Sequence, residues 1–141
     1  MDKYIYRGKL ERVVDGDTID ALIDVGFDIW VKKRIRYKGI DTWESRTRNL
    51  DEKKHGLRAK KELGDILTNT KELIIEVREV GKYGRALGIV YADGLNVNFE
   101  LIDRGMAYPY DGEQKLNYDQ MLVRYPALEK VRKTLAWWKK T

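Results

Sequence analysis

The sequence predicts one small domain of the α+β class that is mainly β: an OB-like, five-stranded Greek-key barrel with about three helices. Three features of the chain support this fold. Short runs of alternating polar and apolar residues, typical of half-buried strands, dominate its first half. Glycine-containing turns separate these runs. A helical pattern lies between the third and fourth predicted strands, and helical patterns return after the fifth.

The first three strands are predicted to form a meander, because they follow one another with only short turns between them. They cover residues 4–14, 18–24 and 27–37. The Asp15-Gly16-Asp17 segment joins the first pair, and an Asp-Gly pair between two strand-like runs is a strong hairpin signal. Gly26 marks the second turn.

The first helix is predicted over residues 51–67, where the spacing of apolar side chains changes from two residues to the helical period. Its other faces are rich in lysine, which we interpret as a solvated surface. The apolar residues on one side are Leu57, Leu63, Ile66 and Leu67.

Two more strands and two more helices are predicted in the remainder of the chain. The strands cover residues 73–80 and 85–92, with a glycine-rich turn between them. A short helix is predicted over residues 99–104, with Asn98 as its N-cap. The last helix is predicted over residues 118–138 and is interrupted by a proline.

Length and composition limit the kinds of site that the chain can build. The length of 141 residues predicts a single domain spanning residues 1–141, and the hydrophobic fraction of 43% is enough for a compact core. The absence of cysteine excludes disulfides, thiolate nucleophiles and cysteine-based zinc sites. With His55 as its single histidine, the chain cannot build a multi-histidine zinc site. Any metal would therefore be a hard cation held by oxygen.

The partners and the location are also expectations from composition. The net charge of +5 weakly favours a polyanionic partner. No apolar run is long enough for a membrane span, and the polar N-terminus does not resemble a signal peptide. We expect a cytoplasmic monomer that does not enter a membrane, and secretion only if an upstream segment was removed.

Three short segments supply the groups needed to cleave a phosphodiester bond. Asp17 and Asp41 could place carboxylate oxygens on one hard cation if their strand ends lie side by side. Glu44, three residues after Asp41, could act as a general base toward water. Arg36 and Arg85 have the planar guanidinium that matches a phosphate with two hydrogen bonds.

These segments resemble the staphylococcal nuclease (thermonuclease) family in their order and approximate spacing. The likeness extends from about Arg12 to Tyr110. The segments that resemble the family are Asp15-Gly16-Asp17-Thr18, Arg36 with Asp41-Thr42-x-Glu44, and Lys82-Tyr83-Gly84-Arg85 followed by residues 86–94.

The resemblance implies a calcium-dependent nuclease that cuts DNA and RNA, favours single strands and leaves 3′-phosphate ends. The implied Ca²⁺ ligands are Asp17, Asp41 and the backbone carbonyl of Thr42.

The resemblance also implies roles in catalysis and substrate binding. Glu44 is the implied general base, and Arg36 and Arg85 are the implied transition-state stabilisers. The implied substrate-binding residues are Lys82 and Tyr83, at a terminal phosphate, and Tyr108 and Tyr110, near a base.

The chain departs from the family pattern between the threonine and the catalytic glutamate, where the family usually has proline and this chain has Trp43. Proline would stiffen that turn. We expect Trp43 to leave the turn freer and to add a stacking surface. The loop over residues 45–54 has little resemblance to the family beyond being polar and basic.

The main alternative is a catalytically inactive OB-fold module that binds single-stranded nucleic acid. Individual polar residues can also have purely structural roles. Asp15 is interpreted as a turn residue and His55 as a surface or helix-start residue. A binding module has no need for the five charged residues of the proposed chemistry together, so their combination favours an enzyme. The preference for DNA or RNA stays open.

Overall fold

The computed structural model describes residues 4–81 and 85–110. Within these residues the chain forms a mainly β fold with two helices. In chain order the elements are β1 (Tyr4–Asp15), β2 (Thr18–Asp24), β3 (Trp30–Tyr37), β4 (Ile40–Asp41), α1 (Leu50–Thr68), β5 (Leu73–Val80), β6 (Ala86–Ala92), β7 (Leu95–Asn96), α2 (Val97–Asp103) and β8 (Tyr108–Pro109).

Five strands close into a barrel. The hydrogen-bonded order is β3-β2-β1-β5-β6-β7, with antiparallel pairs throughout, and β3 also pairs with β6 in parallel. That last pairing, which places Ile35 opposite Ala86, joins the two ends of the sheet. The predicted fold class, an OB-like mainly β barrel, is therefore confirmed. The predicted helix over residues 118–138 lies outside the described residues.

The third strand begins later than predicted. It starts at Trp30 instead of residue 27, because Phe27 and Asp28 adopt positive φ angles of 54° and 60° in the turn after Gly26. Backbone of this left-handed kind turns the chain and cannot continue an extended strand. The alternation of side chains gave no sign of this turn.

The core is built from the inward side chains of the strands and one face of α1. Ile19 and Ile75 are fully buried inside the barrel. On α1 the buried residues are Gly56, Ala59, Leu63 and Leu67. The predicted buried face of this helix was therefore partly wrong, because Leu57 is 46% exposed and Ile66 is only half-buried. The small residues Gly56 and Ala59 are buried instead.

The short helix α2 has a different N-cap from the one predicted. Asn96, not Asn98, caps it, with its side chain accepting a backbone hydrogen bond. Asn98 is buried instead. Its amide donates to the carbonyls of Lys38 and Gly88, and its oxygen accepts from the Val90 N–H. Asn98 therefore ties α2 to β6 and to the turn after β3. Neither α1 nor α2 is long and apolar enough to cross a membrane.

Candidate active site

Arg36, near the end of β3, bridges two carboxylates that come from different parts of the fold. Its Nη1 lies 3.1 Å from Asp17 Oδ2, and its Nη2 donates to Asp41 Oδ1 at 3.1 Å. Asp17 lies in the turn between β1 and β2, and Asp41 ends β4. The Arg36 side chain is 15% exposed and the two carboxylates 8% and 1% exposed, so the ion pairs are largely shielded from water. We refer to these three residues as the Asp17–Arg36–Asp41 cluster.

Neighbouring donors fix the carboxylates of this cluster. The Thr42 N–H donates to both Asp17 Oδ2, at 3.1 Å, and Asp41 Oδ1, at 3.0 Å. The Thr18 hydroxyl donates to Asp17 Oδ1 at 2.9 Å. The Tyr108 hydroxyl donates to Asp41 Oδ2 at 2.6 Å. Because one N–H reaches both carboxylates, the two groups face a common point.

The cluster holds more negative than positive charge. Burial raises the pKa of Asp17, and the nearby charge of Asp41 raises it further, while Arg36 and the Thr18 hydrogen bond lower it. One guanidinium therefore does not fully offset two carboxylates in this poorly hydrated place. An additional cation would relieve the repulsion.

The turn that presents Asp17 can pack closely only because it contains glycine. A Cβ at Gly16 would lie 2.6 Å from the Ala59 Cβ on α1 and 3.1 Å from the Thr42 hydroxyl. The chain then enters β2, which pairs with β3, and the Tyr37 N–H at the end of β3 donates to the Asp17 carbonyl at 2.8 Å. The backbone of Asp17 is thus held by the close packing of Gly16 against α1 and by the hydrogen bond from Tyr37.

Tyr37 packs under the cluster. Its ring is buried, and its hydroxyl has no hydrogen-bond partner among the residues described here. Burial raises the pKa of Tyr37, and the charge of Asp17 adds to this, so the phenol stays protonated at physiological pH.

The segment after Thr42 holds Glu44 at the surface between two buried neighbours, Trp43 and Ser45. Trp43 is 2% exposed, and its ring centroid lies 4.9 Å from that of His55 on α1. A Cβ at Gly56 would overlap the Glu44 carbonyl, so helix and segment meet backbone to backbone. The prediction that Trp43 adds a stacking surface was therefore wrong, because its ring is buried. His55, near the start of α1, is half-buried and packs against Trp43.

Arg85 comes directly before β6, and Tyr110 comes directly after β8. Arg85 is exposed and comes two residues before Leu87, the β6 residue in register with Arg36. The Tyr110 N–H donates to the Gly39 carbonyl at 2.9 Å. The side chains of Arg36, Leu87 and Tyr110 line a cleft of about 190 Å³ at the end of β3, which we call the β3 cleft.

The other predicted substrate residues do not all fit their predicted roles. Lys82 and Tyr83 lie outside the described residues. Tyr108 cannot stack on a base as placed, because its ring is 2% exposed and its hydroxyl is bound to Asp41. Sequence reasoning missed this contact because Asp41 and Tyr108 are 67 residues apart and meet only through the β4–β8 pairing.

The chain is similar to several proteins that carry the name nuclease. Residues 34–139 match the family described as staphylococcal nuclease homologue. A micrococcal nuclease of Shigella flexneri is 35% identical over 114 residues, which cover 74% of this chain and 59% of that protein. Endonuclease YncB of Bacillus subtilis is 32% identical over 112 residues, covering 75% of this chain and 50% of that protein. Endonuclease YhcR of the same species is 31% identical over 141 residues, covering 91% of this chain and 11% of that protein.

This chain spans at most 59% of the length of these three relatives. The family match covers more than half of the chain and includes the second half of β3 and every described element from β4 to β8. Because the family match and the barrel agree, the chain belongs to the staphylococcal nuclease family.

Proposed function

We propose that this chain is a calcium-dependent nuclease that hydrolyses phosphodiester bonds of DNA and RNA, favours single strands and leaves 3′-phosphate ends. The observation that supports this most is the Asp17–Arg36–Asp41 cluster at the edge of the β3 cleft. Relatives named as nucleases support the same reaction class.

The chemistry of the cluster fits a hard cation. Asp17 and Asp41 provide two buried carboxylates that share one N–H donor, and their charge exceeds that of Arg36. Among the described residues, no group of three or more acidic or histidine side chains is placed to hold a metal. The remaining ligands would therefore be oxygens of other kinds, with the Thr42 carbonyl as the protein's contribution. A bound calcium ion supplies positive charge that neutralises the scissile phosphate.

Arg36 and Arg85 are proposed to take up the charge that develops on the phosphoryl oxygens. Arg36 faces both the carboxylates and the β3 cleft, so its guanidinium can meet a phosphate that enters there. Arg85 is exposed at the start of β6, two residues before the register partner of Arg36.

Glu44 is proposed to accept a proton from the attacking water. The water oxygen bonds to phosphorus as the P–O5′ bond breaks in line, and the released 5′ oxygen takes up a proton. The products are a 3′-phosphate and a 5′-hydroxyl. Glu44 is exposed while its neighbour Trp43 is anchored against His55, so the carboxylate can reach solvent and substrate from a fixed backbone.

The first test is the release of acid-soluble nucleotides from single-stranded DNA, measured with calcium and then with an excess of chelator. We expect calcium-dependent release in the wild type. In Glu44→Gln we expect kcat to fall by about 10²-fold or more with little change in KM, because general-base catalysis contributes on that scale. Glu11→Gln, an exposed glutamate on β1, is the matched control.

Two outcomes would contradict this proposal. Equal losses in kcat and in substrate affinity would give Glu44 a structural role. Tight binding of single-stranded DNA without cleavage under any divalent metal would make the chain a binding module.

A further inference from the structure

A second depression adjoins the β3 cleft. It has a volume of about 250 Å³ and shares with the β3 cleft the residues of the β3–β4 turn and the first residue of β4, namely Lys38, Gly39 and Ile40. Its opposite wall is α2, through Phe99 and Ile102. We call it the α2 depression. A strand of nucleic acid that leaves the β3 cleft across this turn would enter it.

The α2 depression has the composition of a site for single-stranded nucleic acid. Phe99 is 67% exposed, so its ring is available and contributes little to the core. Ile89 and Ile102 form a half-buried apolar floor beside it, and Lys38 and Arg78 add two cations. Sites of this class combine an aromatic ring, on which a base stacks, with cations that follow the phosphates.

Each of the two cations is held in an ion pair, and the pair that Lys38 makes is one that a phosphate can replace. Lys38 Nζ lies 3.2 Å from Glu79 Oε1, and Arg78 Nε lies 3.1 Å from Glu76 Oε1. The Glu79 side chain is 58% exposed, and a pair this open to water contributes little to stability. Glu79 also lines the β3 cleft, and its partner Lys38 lines both depressions.

We propose that the α2 depression is a subsite for a nucleotide beyond the scissile one, with its base stacked on Phe99 and its phosphate paired with Lys38. The proposal rests on the proposed nuclease function and makes it more specific: the preferred substrate is a single strand long enough to occupy both depressions. A dinucleotide bound at the β3 cleft would leave the α2 depression empty, whereas a longer oligonucleotide would also gain the Phe99 contact.

The test compares binding of a fluorescent thymidine dinucleotide and hexanucleotide, measured by anisotropy in calcium with the Glu44→Gln background. Phe99→Ala is expected to weaken binding of the hexanucleotide by about fivefold or more, the size of one base stack, and to leave the dinucleotide unchanged. Phe99→Trp is expected to keep the tight binding. Phe27→Ala is the matched control, because Phe27 is 97% exposed at the β2–β3 turn and lines neither depression.

Charge provides an independent check of the same subsite. Glu79→Gln should tighten binding of the hexanucleotide, since it removes the acid that competes for Lys38. Lys38→Gln should reduce the slope of log affinity against log salt concentration by about 0.7, the value for one lost phosphate contact on a single strand. A merely structural role of these side chains predicts neither change.

Equal effects of Phe99→Ala on both oligonucleotides, or none on either, would overturn the subsite. This failure is distinguishable from failure of the nuclease proposal. If the wild type cleaves DNA but the length dependence is absent, the subsite alone is wrong. If the wild type cleaves nothing while Phe99→Ala still weakens hexanucleotide binding, the subsite stands and the nuclease proposal falls.

Discussion

At the scale of single residues, the carboxylate of Asp41 depends on a partner far away in sequence. The Tyr108 hydroxyl donates to Asp41 Oδ2 at 2.6 Å in a buried position, and the Thr42 N–H and Arg36 occupy the other oxygen. A hydrogen bond from a residue that does not itself bind the metal orients the carboxylate that does. We therefore assign Tyr108 as a positioning residue for Asp41.

Tyr108→Phe tests this assignment. Because the variant leaves a buried carboxylate oxygen without its donor, we expect the free energy of unfolding to fall by about 1.5–3 kcal/mol without metal. We also expect the calcium concentration for half-maximal activity to rise about 10-fold or more. Tyr37→Phe is the control, because the Tyr37 hydroxyl has no partner among the described residues and its removal should change neither quantity. An unchanged calcium requirement in Tyr108→Phe would refute the positioning role.

The individual charged residues of the site could be found from the sequence, because the chemistry needs those residue types and the family pattern gives their order. Asp17, Arg36 and Asp41 do converge, with Thr42 between the two carboxylates. The Tyr108 contact could not be found, because a hydroxyl donor has no signature in a single sequence. The burial of Trp43 was missed for a related reason: only the fold brings His55 beside it.

At the scale of elements, α1 positions the Glu44 segment through its small residues. Gly56 lies where any side chain would overlap the Glu44 carbonyl, although glycine inside a helix costs about 1 kcal/mol relative to alanine. The periodicity of apolar residues predicts that a helix forms here. The periodicity does not show which glycine contacts another part of the chain, because the contacted segment around Glu44 lies outside the helix.

Two glycines in α1 provide a matched pair of variants. Gly56→Ala is expected to destabilise the fold by about 1–3 kcal/mol, the range for overpacking, and to lower nuclease activity by moving Glu44. Gly64→Ala should instead stabilise the fold by about 0.5–1 kcal/mol, because the nearest atom to its Cβ would be Val13 Cγ2 at 4.0 Å and alanine favours a helix. Urea unfolding and the nucleotide-release assay measure both effects. Similar stability changes in the two variants would mean that the backbone contact does not constrain the helix.

At the scale of the whole molecule, the barrel was predictable because its strands alternate and its turns contain glycine, whereas the strand pair that closes it was not. The parallel pairing of β3 with β6 joins strands separated by α1 and β5, and it depends on the twist of the whole sheet. The short pair β4–β8 was also missed, since two-residue strands carry no periodicity. Neither pairing has a signal in the local sequence. The first places Leu87 beside Arg36 in the β3 cleft, and the second places Tyr108 beside Asp41.

The stability of the barrel against acid depends on ion pairs that link its strands. Asp20 on β2 lies between Arg34 on β3, at 2.9 Å, and Arg12 on β1, at 3.2 Å, so it links three strands. The Arg34 hydrogen bond lowers the pKa of Asp20 below the ordinary 3.8, and the neighbouring positive charges add to this, while burial opposes it. A carboxyl with a lowered pKa stabilises the folded state above its unfolded pKa, and this contribution is lost as the pH falls through the folded pKa.

Asp20→Asn should therefore lower the free energy of unfolding at about pH 7 by about 1 kcal/mol, since both arginines are partly exposed and water screens the pairs. The difference from the wild type should shrink as the pH falls below the ordinary carboxyl value, because both proteins then lack the charge. Urea unfolding over this pH range measures it, with the exposed Asp65 on α1 changed to asparagine as the control. A difference that stays constant with pH would mean that Asp20 stabilises the barrel through its hydrogen-bonding shape and not through its charge.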